Sequence, residues 1–128
     1  MAKTSVHFIL KDKSDYKNLA PIFEDLLVSA LTVVDQVPDP EELQMIVNMN
    51  VDDLSQNRKP EGYIRKARIR MVFPLDRKEF YFQSYNPKAV DLSKIRETTA
   101  QILNKAKIHY TVTEDDDISF ELHPKKKS

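Results

Sequence analysis

Hydrophobic residues first recur with a period of two: Val6, Phe8 and Leu10 are separated by His7 and Ile9, which predicts a strand over Ser5 to Leu10. The period then lengthens. Leu19, Ile22, Phe23, Leu26, Leu27, Ala30, Val33 and Val34 return every three or four residues, the stripe of an amphipathic helix running from Asp15 or Asn18 to Gln36. Ser14, Asp15 and Asn18 can each cap its start. Pro21 is tolerable in a first turn whose amides have no intrahelical partner, and Pro38 and Pro40 end the helix. The next segment carries two signals. Asp39-Pro40-Glu41-Glu42 has the form of a helix start, but Leu43, Met45, Val47, Met49 and Val51 alternate with Gln44, Ile46, Asn48, Asn50 and Asp52, and the alternation predicts a second strand over 43–51. Asp53 to Gly62 is polar and reads as a long hairpin loop.

Alternation resumes over Tyr63 to Phe73, turns at Pro74-Leu75-Asp76-Arg77, and continues over Lys78 to Tyr85, where Phe80 and Phe82 oppose Glu79, Tyr81, Gln83 and Tyr85. Asp91 or Ser93 caps a second helix marked by Leu92, Ile95, Thr99, Ile102, Leu103 and Ala106. Ile108, Tyr110 and Val112, then Ile118, Phe120 and Leu122, predict a last hairpin around Glu114 to Asp117. The expected order is β-α-β-β-β-α-β-β, an α+β fold in which two amphipathic helices cover one face of an antiparallel sheet. The other face is then open to water or to a partner.

That face would carry Asn48 and Asn50, then Lys66, Arg68 and Arg70, then Tyr81, Gln83 and Tyr85. Arginine and tyrosine are enriched among the residues that dominate protein interfaces. The same set, with guanidinium groups for phosphates, rings for stacked bases and amides for base edges, also suits single-stranded RNA or DNA. Arg58 and Lys59 in the long loop would extend the basic surface. A solvated face whose cations pair with Glu79 across strands is the plainer alternative.

Composition narrows the chemistry. The chain has 128 residues, the size of one domain, expected over 1–123 with a basic tail, Pro124 to Ser128, that contains Lys125-Lys126-Lys127. With 41% hydrophobic and 31% charged residues it fits neither a membrane-embedded nor a disordered chain. Twenty Lys and Arg balance twenty Asp and Glu, so binding to an anionic polymer would have to come from a local patch. The absence of cysteine removes disulfides and thiolate chemistry. A single glycine, Gly62, is too few for a phosphate-cradling loop or a dinucleotide fingerprint. No long apolar stretch marks a leader or a membrane span, and a cytoplasmic location is expected.

His7, His109 and His123 lie far apart in sequence without metal-ligand spacing. Asp115 to Asp117 lacks the pattern of a calcium loop, and Ser84 and Thr111 lack the flanking glycines of a nucleophile elbow. Glu24–Asp25 and Glu41–Glu42 are adjacent pairs whose side chains diverge, so neither forms a carboxylate dyad. No catalytic, cofactor or metal signature is expected. The expectation is a non-enzymatic protein-interaction module that binds through the open sheet face or an outer strand edge, with a second copy of itself among its candidate partners, and single-stranded nucleic-acid binding as the alternative. An active site assembled across strands leaves no local motif; a pocket lined by His109 or by converging carboxylates would be its mark.

Overall fold

The structure, a computed structural model, describes residues 4–65, 67–75, 77–84 and 90–115. Strand β1 (Ser5–Leu10) directs Val6, Phe8 and Leu10 into the core, as its alternation requires. Helix α1 (Tyr16–Leu19) starts at Asp15, whose carboxylate accepts from the Tyr16 N–H while the Asn18 side chain accepts from the Asp15 N–H. Burial pushes the Asp15 carboxyl up, but the Lys78 ammonium, the Tyr16 N–H and Asn57 outweigh it and leave the group below its usual range.

The single helix expected from Asp15 to Gln36 is broken. Pro21 has no N–H to donate and its ring crowds the preceding turn, so the backbone tightens into a 3-10 turn (Ala20–Ile22) before α2 (Phe23–Val33) resumes. The stripe survives the break: Leu19, Phe23, Leu26, Leu27, Ala30 and Leu31 are all buried.

The larger correction is at 43–51, which is helix, not strand. Helix α3 (Pro40–Ser55) begins where Asp39 accepts from the Glu42 N–H, with Pro40 in the first turn and Glu41 and Glu42 facing the positive end of the dipole. Its core stripe is Leu43, Ile46, Val47, Asn50 and Leu54, a helical spacing that the exposed Met45 and Met49 disguised as alternation. Asn57, with φ of 59°, closes its end.

The expected strand over Tyr63 to Phe73 shortens to β2 (Ile69–Val72), because Tyr63 turns back and pairs with Met71 through two backbone hydrogen bonds of 2.9 Å. Strand β3 (Glu79–Ser84), helix α4 (Leu92–Lys105), capped by Asp91, and strand β4 (Tyr110–Asp115) follow. The four strands form an antiparallel sheet in the order β2-β3-β1-β4, with Phe8 opposite Phe80 and Val112. The fold is α+β, as expected, and α2 packs against both α3 and α4 in a helical layer that shares one hydrophobic cluster with the sheet. The second strand of the last hairpin and the basic tail lie outside the described residues. No helix among the described residues is long and apolar enough to cross a membrane.

Gly62 joins this layer to the sheet edge. Its φ is +83°, and a Cβ there would lie 2.3 Å from the Met71 carbonyl oxygen that accepts from Tyr63. Gly62→Ala is therefore expected to lower unfolding stability by about 2–4 kcal/mol in urea titration, combining left-handed strain with overpacking. A loss within about 0.5 kcal/mol, the range of an ordinary surface substitution, would contradict this close approach.

Candidate functional site

The sheet surface expected to be open is closed over β1 and β3, whereas Thr111 and Thr113 of β4 stay exposed and Arg70 and Val72 of β2 are half-buried. β1 and β3 turn Ser5, His7, Glu79, Tyr81 and Gln83 away from the hydrophobic core, yet Glu79 and Gln83 are 2% exposed and Tyr81 7%. A polar network runs through them. The His7 imidazole Nδ1 lies 2.6 Å from the Glu79 carboxylate and Nε2 lies 2.9 Å from the Ser5 hydroxyl, while the Tyr81 ring sits 4.5 Å from the imidazole, centroid to centroid. Arg77 reaches the other Glu79 oxygen at 3.5 Å, and the Arg70 guanidinium donates to the Gln83 side chain at 2.8 Å.

Serine, histidine and carboxylate in this order are the groups of an acyl-transfer triad: the carboxylate orients Nδ1–H, and the neutral ring can then accept the serine proton at Nε2. Catalysis also requires an acyl carbon about 3 Å from the hydroxyl oxygen. Ser5 is 4% exposed, and the clefts described below open elsewhere on the surface. The arrangement in the folded chain instead ties neighbouring strands together by charge-assisted hydrogen bonds. Sequence alternation placed these residues on the outer face; nothing local announced that they would be buried with one another.

The other expected site residues scatter. Asn48 and Asn50 leave the sheet for α3: Asn48 accepts from the exposed Gln44 side chain, and Asn50 is buried. Arg68 is exposed, its backbone N–H donating to Gln36 at the end of α2. Lys66 and Tyr85 lie outside the described residues. Arg58, proposed to extend the basic surface, folds back onto Asp53 at 2.8 Å. Of the rings expected to stack bases, Tyr81 is covered, so the described sheet face offers no open aromatic platform.

A different surface emerges on α3. Asn50 clasps Gly62 from both sides: its Oδ1 accepts from the Gly62 N–H at 2.7 Å, and its Nδ2 donates to the Gly62 carbonyl at 3.2 Å and to the Ile46 carbonyl at 2.9 Å. This brings Ile64 beside α3, where it lines a small cavity of about 100 Å³ with Met49. Met45, Met49 and Ile64 are 51%, 47% and 54% exposed. The sixteen residues of α3 include Glu41, Glu42, Asp52 and Asp53 and no base. Arg58 compensates the C-terminal pair, whereas Glu41 and Glu42 make no ion pair among the described residues. The Glu42 charge is felt at Tyr63, whose phenol is pushed up by burial and by Glu42 against the opposing charge of Arg65.

His109 does line a cleft, one of about 750 Å³ between the β1–α1 turn and the α4–β4 turn. Its imidazole meets Asp12 at 2.8 Å, and both side chains are about two-thirds exposed. No group of three or more potential metal ligands forms among the described residues. No protein-family model matches the chain, and no curated protein or solved structure matches it.

Removing one member of the buried network strands its partner. Glu79→Ala is expected to cost about 3 kcal/mol or more in urea unfolding, and Ser5→Ala about 1 kcal/mol, with the helices retained by circular dichroism. A cost for Glu79→Ala below that of Ser5→Ala would mean that the carboxylate does not hold the strands.

Proposed function

We propose that this chain is a non-enzymatic protein-interaction module whose docking surface is the outer face of α3 rather than the sheet. The observation that carries the reading is the juxtaposition of half-exposed Met45, Met49 and Ile64 with Glu41 and Glu42, which make no ion pair among the described residues. Methionine is unbranched and polarizable, so a methionine surface can conform to partners of different shape. The charge around them, Glu41, Glu42 and Glu61 against Arg65, is net acidic and selects among them. Covering the exposed half of three apolar side chains contributes roughly 1 kcal/mol each, less than the freedom lost on association, about 4 kcal/mol or more. Apolar contact alone is therefore insufficient. Charge must supply part of the affinity, and the partner best matched to this face is a basic segment with aliphatic anchors.

The test is a titration followed at the methionine methyl groups by NMR. A helical peptide of leucine and lysine is expected to shift the Met45 and Met49 signals, and to do so less at high salt, while the buried Met71 stays fixed. Met49→Glu should weaken binding by about tenfold or more, corresponding to about 1.4 kcal/mol. Unmoved Met45 and Met49 signals, or equal binding of a leucine–glutamate peptide, would remove the basis for the reading.

A further inference from the structure

The seam between α2 and α4 is an open groove. The cleft of about 750 Å³ beside His109 is followed by one of about 590 Å³, with Ile22 and Ala106 bordering both, and then by one of about 580 Å³ that shares Ser29 with the second. Half-buried Ile22, Val28 and Ile102 supply its apolar lining. Charge is concentrated at one end. Lys13, Lys17, Lys105 and Lys107 are exposed there and make no ion pair among the described residues. Two aspartates share the rim, Asp25 and Asp12, the latter hydrogen-bonded to His109, so the four lysines outnumber the acids there.

We propose that the occupant of this groove is α3 of a second copy of the chain. The inference rests on the reading of α3 as a docking surface and names its partner. Zero net charge here conceals a separation: α3 carries four acids and no base, with Arg58 meeting only the C-terminal two, while the seam between α2 and α4 carries a lysine cluster. Each surface has the apolar centre and the charge that the other lacks. The lengths are compatible as well, because the sixteen residues of α3 span about 24 Å and the eleven of α2 about 16 Å, so α3 can reach along the whole seam.

The charge pattern also sets the direction. Glu41 and Glu42 at the start of α3 face the lysines at the Ile22 end, which places Met45 and Met49, one and two turns on, over Ile22, Val28 and Ile102. In this orientation the incoming α3 runs parallel to α2. Because the two surfaces differ, the contact is head to tail, and it leaves a free α3 at one end and a free groove at the other. Assembly therefore continues with concentration unless the rotation closes a ring.

Sedimentation velocity on the full chain, across micromolar to millimolar concentration and at low and high salt, tests this with two variants. Met45→Glu with Met49→Glu disables the α3 face, and Lys17→Glu with Lys105→Glu disables the groove; all four positions are exposed, and circular dichroism checks that the fold is kept. The wild type is expected to form concentration-dependent oligomers, about tenfold weaker or more at high salt. Each variant alone should be monomeric. An equimolar mixture should form a dimer and grow no further, since one variant retains only a groove and the other only an α3 face.

A monomeric wild type, self-association that survives in either variant, or a mixture that stays monomeric while the wild type assembles would overturn the proposal. The leucine–lysine peptide separates the two levels of the argument. If it still shifts Met45 and Met49 on a monomeric wild type, the docking surface stands and the second copy is excluded as its occupant; if it does not, both readings fall together.

Discussion

One side chain, Asn50, decides what this protein shows to its surroundings. Its carboxamide is buried on the core side of α3 and meets both backbone groups of Gly62, accepting from one and donating to the other. A buried amide left without partners would cost the free energy of its own desolvation, so helix and returning loop satisfy each other or neither is satisfied. From this clasp the chain continues into Tyr63, which pairs with Met71 at the sheet edge, and into Ile64, which comes to rest beside Met49. The register of β2 and the composition of the exposed apolar surface thus have one origin. Glycine is required at the junction because only a residue without Cβ can pass the Met71 carbonyl at this distance and with this φ.

The two faces of the sheet are both withdrawn from solvent over β1 and β3, by different physics. On one, Val6, Phe8, Phe80 and Phe82 are covered by the helices and held by apolar burial. On the other, Ser5, His7, Glu79 and Gln83 are held by hydrogen bonds among groups that would be costly to bury singly. With the centre of the sheet committed to structure, two surfaces of the helical layer combine partly exposed apolar side chains with charges that make no ion pair among the described residues. They are the outer face of α3 and the seam between α2 and α4.

Much of this fold was legible because burial and period coincide. β1, the core positions of β3 and the stripe of α4 follow directly from which residues are apolar and how far apart they stand. The error at 43–51 has an instructive cause: Met45 and Met49 are apolar but face outward, so they completed an apparent alternation that Ile46, Val47, Asn50 and Leu54 contradict. The helix-start signal at Asp39-Pro40-Glu41-Glu42 reported the backbone correctly, because capping and dipole effects depend on local chemistry and not on which side chains are later covered. The candidate site was far less legible. Tyr81 and Gln83 were placed on the right face, but a polar residue on a strand gives no sign that other polar residues will enclose it. Ile64 reaches Met49 only through the Asn50–Gly62 contact across twelve residues, which no periodicity encodes.

Amide hydrogen exchange at Gly62 probes that contact most directly. If the Asn50 side chain holds the loop, the Gly62 N–H exchanges about as slowly as the ladder amides of β1 and β3, although it lies in a segment with no regular secondary structure of its own. Exchange at the rate of an unprotected loop amide would contradict the account, since neither the clasp nor the surface built on it would then persist in solution.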